Sequence, residues 1–192
     1  IALTEGRFRI PDFRVDPQLG EITFKAAGLT PAVLELLDHE PLLYLQSVGL
    51  KPDLLGGTTD GSFALSMPLV ADLEFKEIKL NGVARLEDAM TPGLMGGVPV
   101  EGGGFDVTVN DRGVEARGAI RIRDVPAELL WQRVFYTPDD QQRPASVTAE
   151  LDESMREKLG FKINHLVKGK TPVNLSITGL GRETQKLSLQ AD

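Results

Sequence analysis

Apolar and polar residues alternate along most of this chain, and that period of two limits what the chain can fold into. The alternation is clear where Phe63, Leu65 and Met67 are separated by Ala64 and Ser66, and it recurs from residue 7 to residue 191. Successive side chains of a β-strand point to opposite faces, so each such segment predicts a strand with one buried and one solvated face. We therefore expect a mainly β fold.

Turn-forming residues separate the predicted strands and favour antiparallel neighbours. Residues 110–113, Asn-Asp-Arg-Gly, form the clearest hairpin signal because apolar alternation flanks them on both sides. Asn81-Gly82 is weaker, since one long strand with a bulge fits the same residues. We expect a mobile loop in the glycine-rich stretch 92–104, and if the single β-rich unit 1–192 divides at all, it divides there.

Helical patterns interrupt the alternation in a few places. In residues 30–38, Thr30 is the predicted N-cap and Pro31 occupies the first helical position. A second helix over 42–48 follows Pro41, which gives one helical pair near residues 31–48. Short helices are also expected at 127–132 and 152–159, the latter capped by Asp152 and ended by Gly160.

Composition excludes several classes of protein. The hydrophobic fraction of 41% argues against a disordered chain. A net charge of −7 argues against a nucleic-acid partner, because phosphates require a basic patch, and the short basic group at 162–170 is no extended stripe. No apolar run approaches the roughly 20 residues that span a bilayer. The absence of cysteine removes disulfides and thiolate chemistry.

No residue pattern predicts catalysis, a metal site or a cofactor. His39 and His165 lack carboxylates at a spacing that would converge on a metal, so surface positions are favoured. The Gly-x-Ser-x-Gly motif is absent, and the glycine pairs lead into strands instead of phosphate-binding helices. Trp131, Phe135 and Tyr136 form an aromatic group that suits core packing better than ligand contact. We expect a protein that is not an enzyme.

The apolar face shared by the strands is the remaining functional candidate. It either packs against an opposing layer, as in a sandwich, or lines a groove for an apolar ligand. The residues that we select as lipid-facing belong to the best alternating segments: Phe63, Leu65, Met67, Phe105, Val107, Val109, Ile120 and Ile122.

Several motifs are similar to those of a known family. They are LLDHEPL at residues 36–42, GLKP at 49–52, GGTTDG at 56–61, MPLVADL at 67–73 and GVARLEDA at 82–89, with further likeness at 113–118 and 187–192. From about residue 20 onward the chain resembles the central domain of YhdP-type proteins of the AsmA-like superfamily. These motifs are strand and turn patterns and include no catalytic signature.

The resemblance implies a Gram-negative envelope protein involved in outer-membrane biogenesis. The chain would be part of the periplasmic portion of a protein anchored in the inner membrane. Its antiparallel sheet would be strongly curved, forming a groove or an open sandwich. That groove would bind or conduct phospholipid between the inner and outer membranes, with acyl chains as the partner and no nucleic acid. The alternative is a non-catalytic structural or interaction module in envelope assembly.

Overall fold

In the computed structural model, an antiparallel sheet of eleven strands accounts for most of the described residues, which are 1–39, 44–45, 50–95, 98–135, 137–138, 141–179 and 186–191. The strands are β1 (Ala2–Arg9), β2 (Leu19–Leu29), β3 (Gly56–Pro68), β4 (Lys79–Met95), β5 (Val98–Glu101), β6 (Phe105–Asn110), β7 (Gly113–Ile122), β8 (Val125–Val134), β9 (Ala145–Leu151), β10 (Thr171–Thr178) and β11 (Lys186–Ala191). The helices are α1 (Thr30–Asp38) and α2 (Glu153–Leu159), with 3-10 turns at Pro52–Leu54 and Phe75–Glu77. The predicted mainly β, antiparallel fold is confirmed.

The strands follow one another in space nearly as they do in sequence, from β1 at one edge to β11 at the other. The exception is the centre, where β5 and β6 both pair with β4 and both pair with β7. Leu86 pairs with Phe105 and Met90 pairs with Glu101, so β5 and β6 keep one register along β4. They behave as a single strand interrupted at residues 102–104.

The prediction of a mobile loop at 92–104 is corrected by these strands. The strands β4 and β5 occupy much of the tract, and only residues 102–104 lie between β5 and β6. A side chain at Gly103, whose φ is 110°, would collide with the carbonyl oxygen of Ala119. One at Gly118 would collide with the carbonyl oxygen of Gly104. These glycines allow two backbones to approach closely, which is a different use of glycine from loop mobility.

The buried side chains lie on the concave face of the sheet, in two clusters. One is built on β2, β3 and the start of β4 and includes Val33 and Leu37 of α1. The other extends across β4 to β10 and includes Phe105, Ile120 and Ile177. Because α1 packs on β2 and β3, the sheet curves around the helix and buries one face. The expected curved sheet is therefore confirmed.

The predicted helix at 127–132 is wrong, because these residues lie inside β8. Val125, Ala127 and Leu129 are buried while Pro126 and Glu128 are exposed, which is a period of two. The large apolar residues at 129, 130 and 131 are consecutive, and this break in the alternation favours a helix when only the sequence is considered. Pairing with β7 along the whole of β8 overrides that local preference.

The predicted helices at 30–38 and 152–159 are confirmed, the first with one correction. Helix α2 is capped by Asp152, whose carboxylate accepts a 2.8 Å hydrogen bond from the Met155 amide, and Gly160 ends it in the left-handed conformation. In α1, however, Thr30 is inside the helix and does not cap it. Its hydroxyl is buried and lies 2.9 Å from that of Thr59 on β3. The predicted second helix at 42–48 lies largely outside the described residues.

Gly82 continues β4 without a turn, which decides between the two interpretations of Asn81-Gly82. It lies opposite Phe63 on β3 and Val109 on β6. A Cβ there would be 2.6 Å from Cδ1 of Phe63. The absence of a side chain therefore lets the Phe63 ring lie across the strand.

Replacing Gly82 with alanine should lower the free energy of unfolding by about 1 kcal/mol, since the Phe63 ring must move. Denaturant unfolding followed by circular dichroism measures this change. The matched control is Gly6→Ala on edge strand β1, where a Cβ would have no heavy atom within 4 Å. Equal effects of the two substitutions would contradict the close contact with Phe63.

Arg156 is a buried guanidinium, 1% exposed, that holds the chain between α2 and β10. It donates hydrogen bonds of 2.8 to 3.0 Å to the carbonyl oxygens of Leu151, Val167 and Gly169, and its Nε donates to Oδ1 of Asn164 at 2.8 Å. Partial negative charge on these oxygens offsets the cost of burying the cation.

Arg156→Ala should lower the free energy of unfolding by about 3 kcal/mol or more, because several buried carbonyl oxygens lose their donor together. Urea denaturation provides the measurement. Arg9→Ala is the control, since Arg9 pairs with Glu21 on the surface and its side chain is 67% exposed; it should cost under about 1 kcal/mol. A loss for Arg156→Ala no greater than that of the control would refute the structural role.

Candidate apolar binding cavity

A cavity of about 170 Å³ lies between α1 and the concave face of the sheet. The helix contributes Val33, Leu34 and Leu37, and Tyr44 and Leu45 also line it. The opposite wall comes from strands β3 to β8, and every side chain named here is aliphatic or aromatic. The cavity therefore separates the helical layer from part of the sheet.

Small side chains in one cross-strand row account for the empty space. The row contains Ala84, Val107 and Ala116, which pair in succession from β4 to β7, and it ends at Trp131 on β8. Paired residues in a sheet share a face, so these side chains all lie on the face that lines the cavity. Three short side chains in line leave space between the sheet and α1 unfilled.

Larger side chains bound this row on either side. The row before it contains Phe63 and Val109, and the row after it contains Leu86 and Phe105. Phe63 is also stacked on Phe24 with ring centroids 5.4 Å apart. The lining continues past both rows, to Leu80 on one side and to Thr91 and Val100 on the other, so the cavity has the shape of a trough.

The polar groups of the lining are bonded within the protein. The hydroxyls of Thr30 and Thr59 are hydrogen-bonded to each other, and the Tyr44 hydroxyl donates to the carbonyl oxygen of Ile78 at 3.3 Å. Within the described part of the chain, no Asp, Glu, Lys, Arg or His lines the cavity. The site can therefore accept an apolar group by shape and desolvation.

The eight candidate residues separate into two sets. Phe63, Phe105, Val107 and Val109 line the cavity. The other four do not: Leu65 and Ile120 are buried in the core, and Met67 and Ile122 are half-buried against it. Alternation assigns the correct face but cannot distinguish a filled position from an empty one.

The sequence prediction missed Ala84, Ala116, Val33 and Leu37 as lining residues. A signal existed for the two alanines, since both are small residues at inward positions of alternating segments. Finding them requires the register of four strands, which turns alone do not fix. Trp131, assigned to packing, also lines the cavity, and Tyr136 lies outside the described residues.

Charged groups lie away from the cavity. His39 and His165 are exposed, and the described residues contain no group of His, Asp and Glu side chains arranged to hold a metal ion. At the surface, the hydrogen bond that Lys25 donates to Glu5 at 2.7 Å raises the pKa of the Lys25 ammonium, and attraction to the same carboxylate adds to it. This ion pair joins β1 to β2 on the solvated side.

No family model, curated protein or solved structure matches this chain. None of the helices in the described residues is both long and apolar enough to cross a membrane. The cavity and the faces of the sheet are therefore the features that bear on function.

Val107→Asp should report directly on the polarity of the cavity. A carboxyl placed among apolar side chains has a raised pKa, because desolvation disfavours its charged form. The folded-state pKa then exceeds the unfolded value of about 3.9, so the loss of stability is small below that value and grows as the pH rises toward the folded-state pKa. Unfolding measured from pH 3.5 to 8 tests this dependence.

Two controls accompany that variant. Val107→Asn cannot titrate and should cost stability without the added pH dependence. Thr108→Asp places the carboxyl on the exposed outer face of the same strand and should be nearly neutral. Identical pH profiles for Val107→Asp and Thr108→Asp would mean that the trough is wet and open.

Proposed function

We propose that this protein binds an acyl chain of a phospholipid in the cavity, as one segment of a periplasmic hydrophobic groove that conducts lipid between the inner and outer membranes. The supporting observation is the apolar trough between α1 and the row of Ala84, Val107 and Ala116. Desolvation of a hydrocarbon chain is the only large binding term that such a lining supplies.

The volume sets the size of the ligand. An apolar cavity of about 150 Å³ in another protein holds a benzene-sized molecule, and the trough of about 170 Å³ is comparable. It therefore suits a short length of one acyl chain, with the rest of the lipid outside. Each methylene removed from water contributes about 0.8 kcal/mol, so occupancy of a few methylenes is weak and reversible, as transport requires.

The apolar face continues from the cavity to both edges of the sheet. On β1, Leu3 and Phe8 pair with inward-facing residues of β2 and are 54% and 58% exposed. On β11, Leu187 and Leu189 pair with inward-facing residues of β10 and are 56% and 49% exposed. A conduit needs such an apolar track, because a polar step would stop the lipid.

Membership of the AsmA-like superfamily, a periplasmic location and the absence of catalysis are parts of the same proposal. They are supported by the motif resemblance at residues 36–61 and 67–89 and by a lining in which the described residues include no charged or histidine side chain. Acyl-chain binding itself does not depend on them.

The second candidate function is that of a structural or interaction module in envelope assembly. Edge strands β1 and β11 favour it, since every residue of both is exposed. Strand edges of this kind present unpaired backbone groups that another strand can join. Such a module would bind its partner through the exposed strand edges and would not require the trough.

Quenching of tryptophan fluorescence tests the first function. Trp131 is the single tryptophan of the chain and lines the cavity, so a doxyl-labelled fatty acid bound there should quench it. Ala84→Phe fills the trough and should weaken saturable quenching by at least about tenfold. The control Val83→Phe, one residue away on the outer face, should leave quenching unchanged.

Circular dichroism on each variant verifies the fold before binding is compared. Quenching that is absent, not saturable or equal in the two variants would refute binding in the trough. If the quenching experiment gave one of these results and the protein still paired with strands of a partner, the interaction module would be favoured.

A further inference from the structure

The end of α2 and the segment that follows it form a tip, which we define as residues 158–170. Arg156 holds it from inside through the carbonyl oxygens of Val167 and Gly169. Asn164 also turns inward, donating to the Glu153 carbonyl oxygen at 3.0 Å and to the Glu157 carboxylate at 2.9 Å. The polar side chains that face the protein are therefore bonded.

Two aliphatic side chains of the tip point away from the protein. The amides of Leu166 and Val167 both donate to the carbonyl oxygen of Ile163, which makes a tight turn. Leu166 is 75% exposed and Ile163 is 40% exposed. Hydrogen bonds on the protein side hold this turn in place. Exposing its aliphatic groups to water is unfavourable unless another molecule covers them.

Lysines surround these aliphatic groups. Residues 158–170 contain Lys158, Lys162, Lys168 and Lys170 and no Asp or Glu, in a chain whose net charge is −7. Lys170 lies 3.5 Å from Glu150, whereas the other three are exposed and form no ion pair with any described residue. The tip is thus a cationic region on an acidic protein.

We propose that the tip docks on the surface of a bilayer that contains anionic phospholipid. Leu166 and Ile163 enter the boundary between headgroups and acyl chains, while the lysines contact the phosphates of neighbouring lipids. Charge and aliphatic exposure together favour a membrane over other anions. A nucleic acid would use the lysines but would leave Leu166 in water, whereas the boundary of a bilayer accepts both kinds of side chain.

The tip also has a defined position relative to the trough. It follows Leu151, and the pairing of Glu128 with Thr148 places the end of β9 beside the start of β8. The start of β8 is at the same end of the sheet as Thr91 and Val100, which line the cavity. Docking would therefore bring that end of the trough to the membrane, although docking itself does not require the trough to bind lipid.

Pelleting with sucrose-loaded vesicles tests the proposal. The protein should bind vesicles of phosphatidylcholine and phosphatidylglycerol in a 3:1 ratio, bind pure phosphatidylcholine at least about tenfold more weakly, and dissociate in 0.5 M salt. Lys162→Glu with Lys168→Glu should reduce binding at least about tenfold. Ile163→Ser with Leu166→Ser should reduce it several-fold and leave the salt dependence in place.

Matched controls test whether vesicle binding depends on the tip and not on the net charge or the exposed apolar surface of the whole protein. Lys51→Glu with Lys79→Glu changes the net charge equally at exposed positions elsewhere, and Phe13→Ser removes another exposed apolar group. Both should leave vesicle binding unchanged. Ala84→Phe should also bind vesicles normally, so loss of acyl-chain binding and loss of docking are distinguishable.

Three results would overturn the proposal. They are equal binding to the two vesicle types, equal loss in the tip variants and their controls, and binding to heparin as tight as to anionic vesicles and insensitive to Leu166. The last would identify the tip as a general polyanion site.

Discussion

The register of the antiparallel strands is the constraint on which the rest of this structure depends. Residues paired across neighbouring strands lie on the same face, so the alternation within each strand becomes one apolar surface only if no strand slips by a residue. The pairing of β4 with β6 and then β5 keeps that register through the interruption at residues 102–104. Glycines at 103 and 118 permit the close backbone approach that this requires. The helix α1, the core and the trough all follow from the surface so formed.

The trough results from differences in side-chain size within that surface. Ala84, Val107 and Ala116 lie in a row between Phe63 and Phe105, and α1 contributes Val33, Leu34 and Leu37 to the lining of the same cavity. Hydrophobic burial alone does not distinguish these positions, since all of them are apolar and inward. Packing does distinguish them, because a short side chain leaves volume that its neighbours are too constrained to fill. The two clusters of buried residues are therefore both apolar, but side chains are packed less densely in the trough that lies between them.

Sequence patterns predicted the features that depend on neighbours in the chain. The hairpin at 110–113 and the caps of α2 at Asp152 and Gly160 are local, so turn and capping chemistry sufficed. The helix expected at 127–132 failed because pairing with β7 decided the conformation. Thr30 failed as a cap since its hydroxyl contacts Thr59, which is far away in sequence. Half of the eight candidate residues lie outside the cavity lining for the same reason: which inward side chains meet empty space depends on the whole sheet.

Retaining the trough has an energetic cost that bears on its role. Unfilled apolar volume costs roughly 24 cal/mol per Å³, so about 170 Å³ corresponds to a loss on the order of 4 kcal/mol. That is a large share of the roughly 5 to 15 kcal/mol by which domains are stable. A valine in place of Ala84 or Ala116 would recover part of it with little chemical change. An acyl chain would recover the same energy while bound, because it supplies the missing contacts. Filling the trough, by a larger side chain or by a bound apolar group, would therefore stabilise the fold.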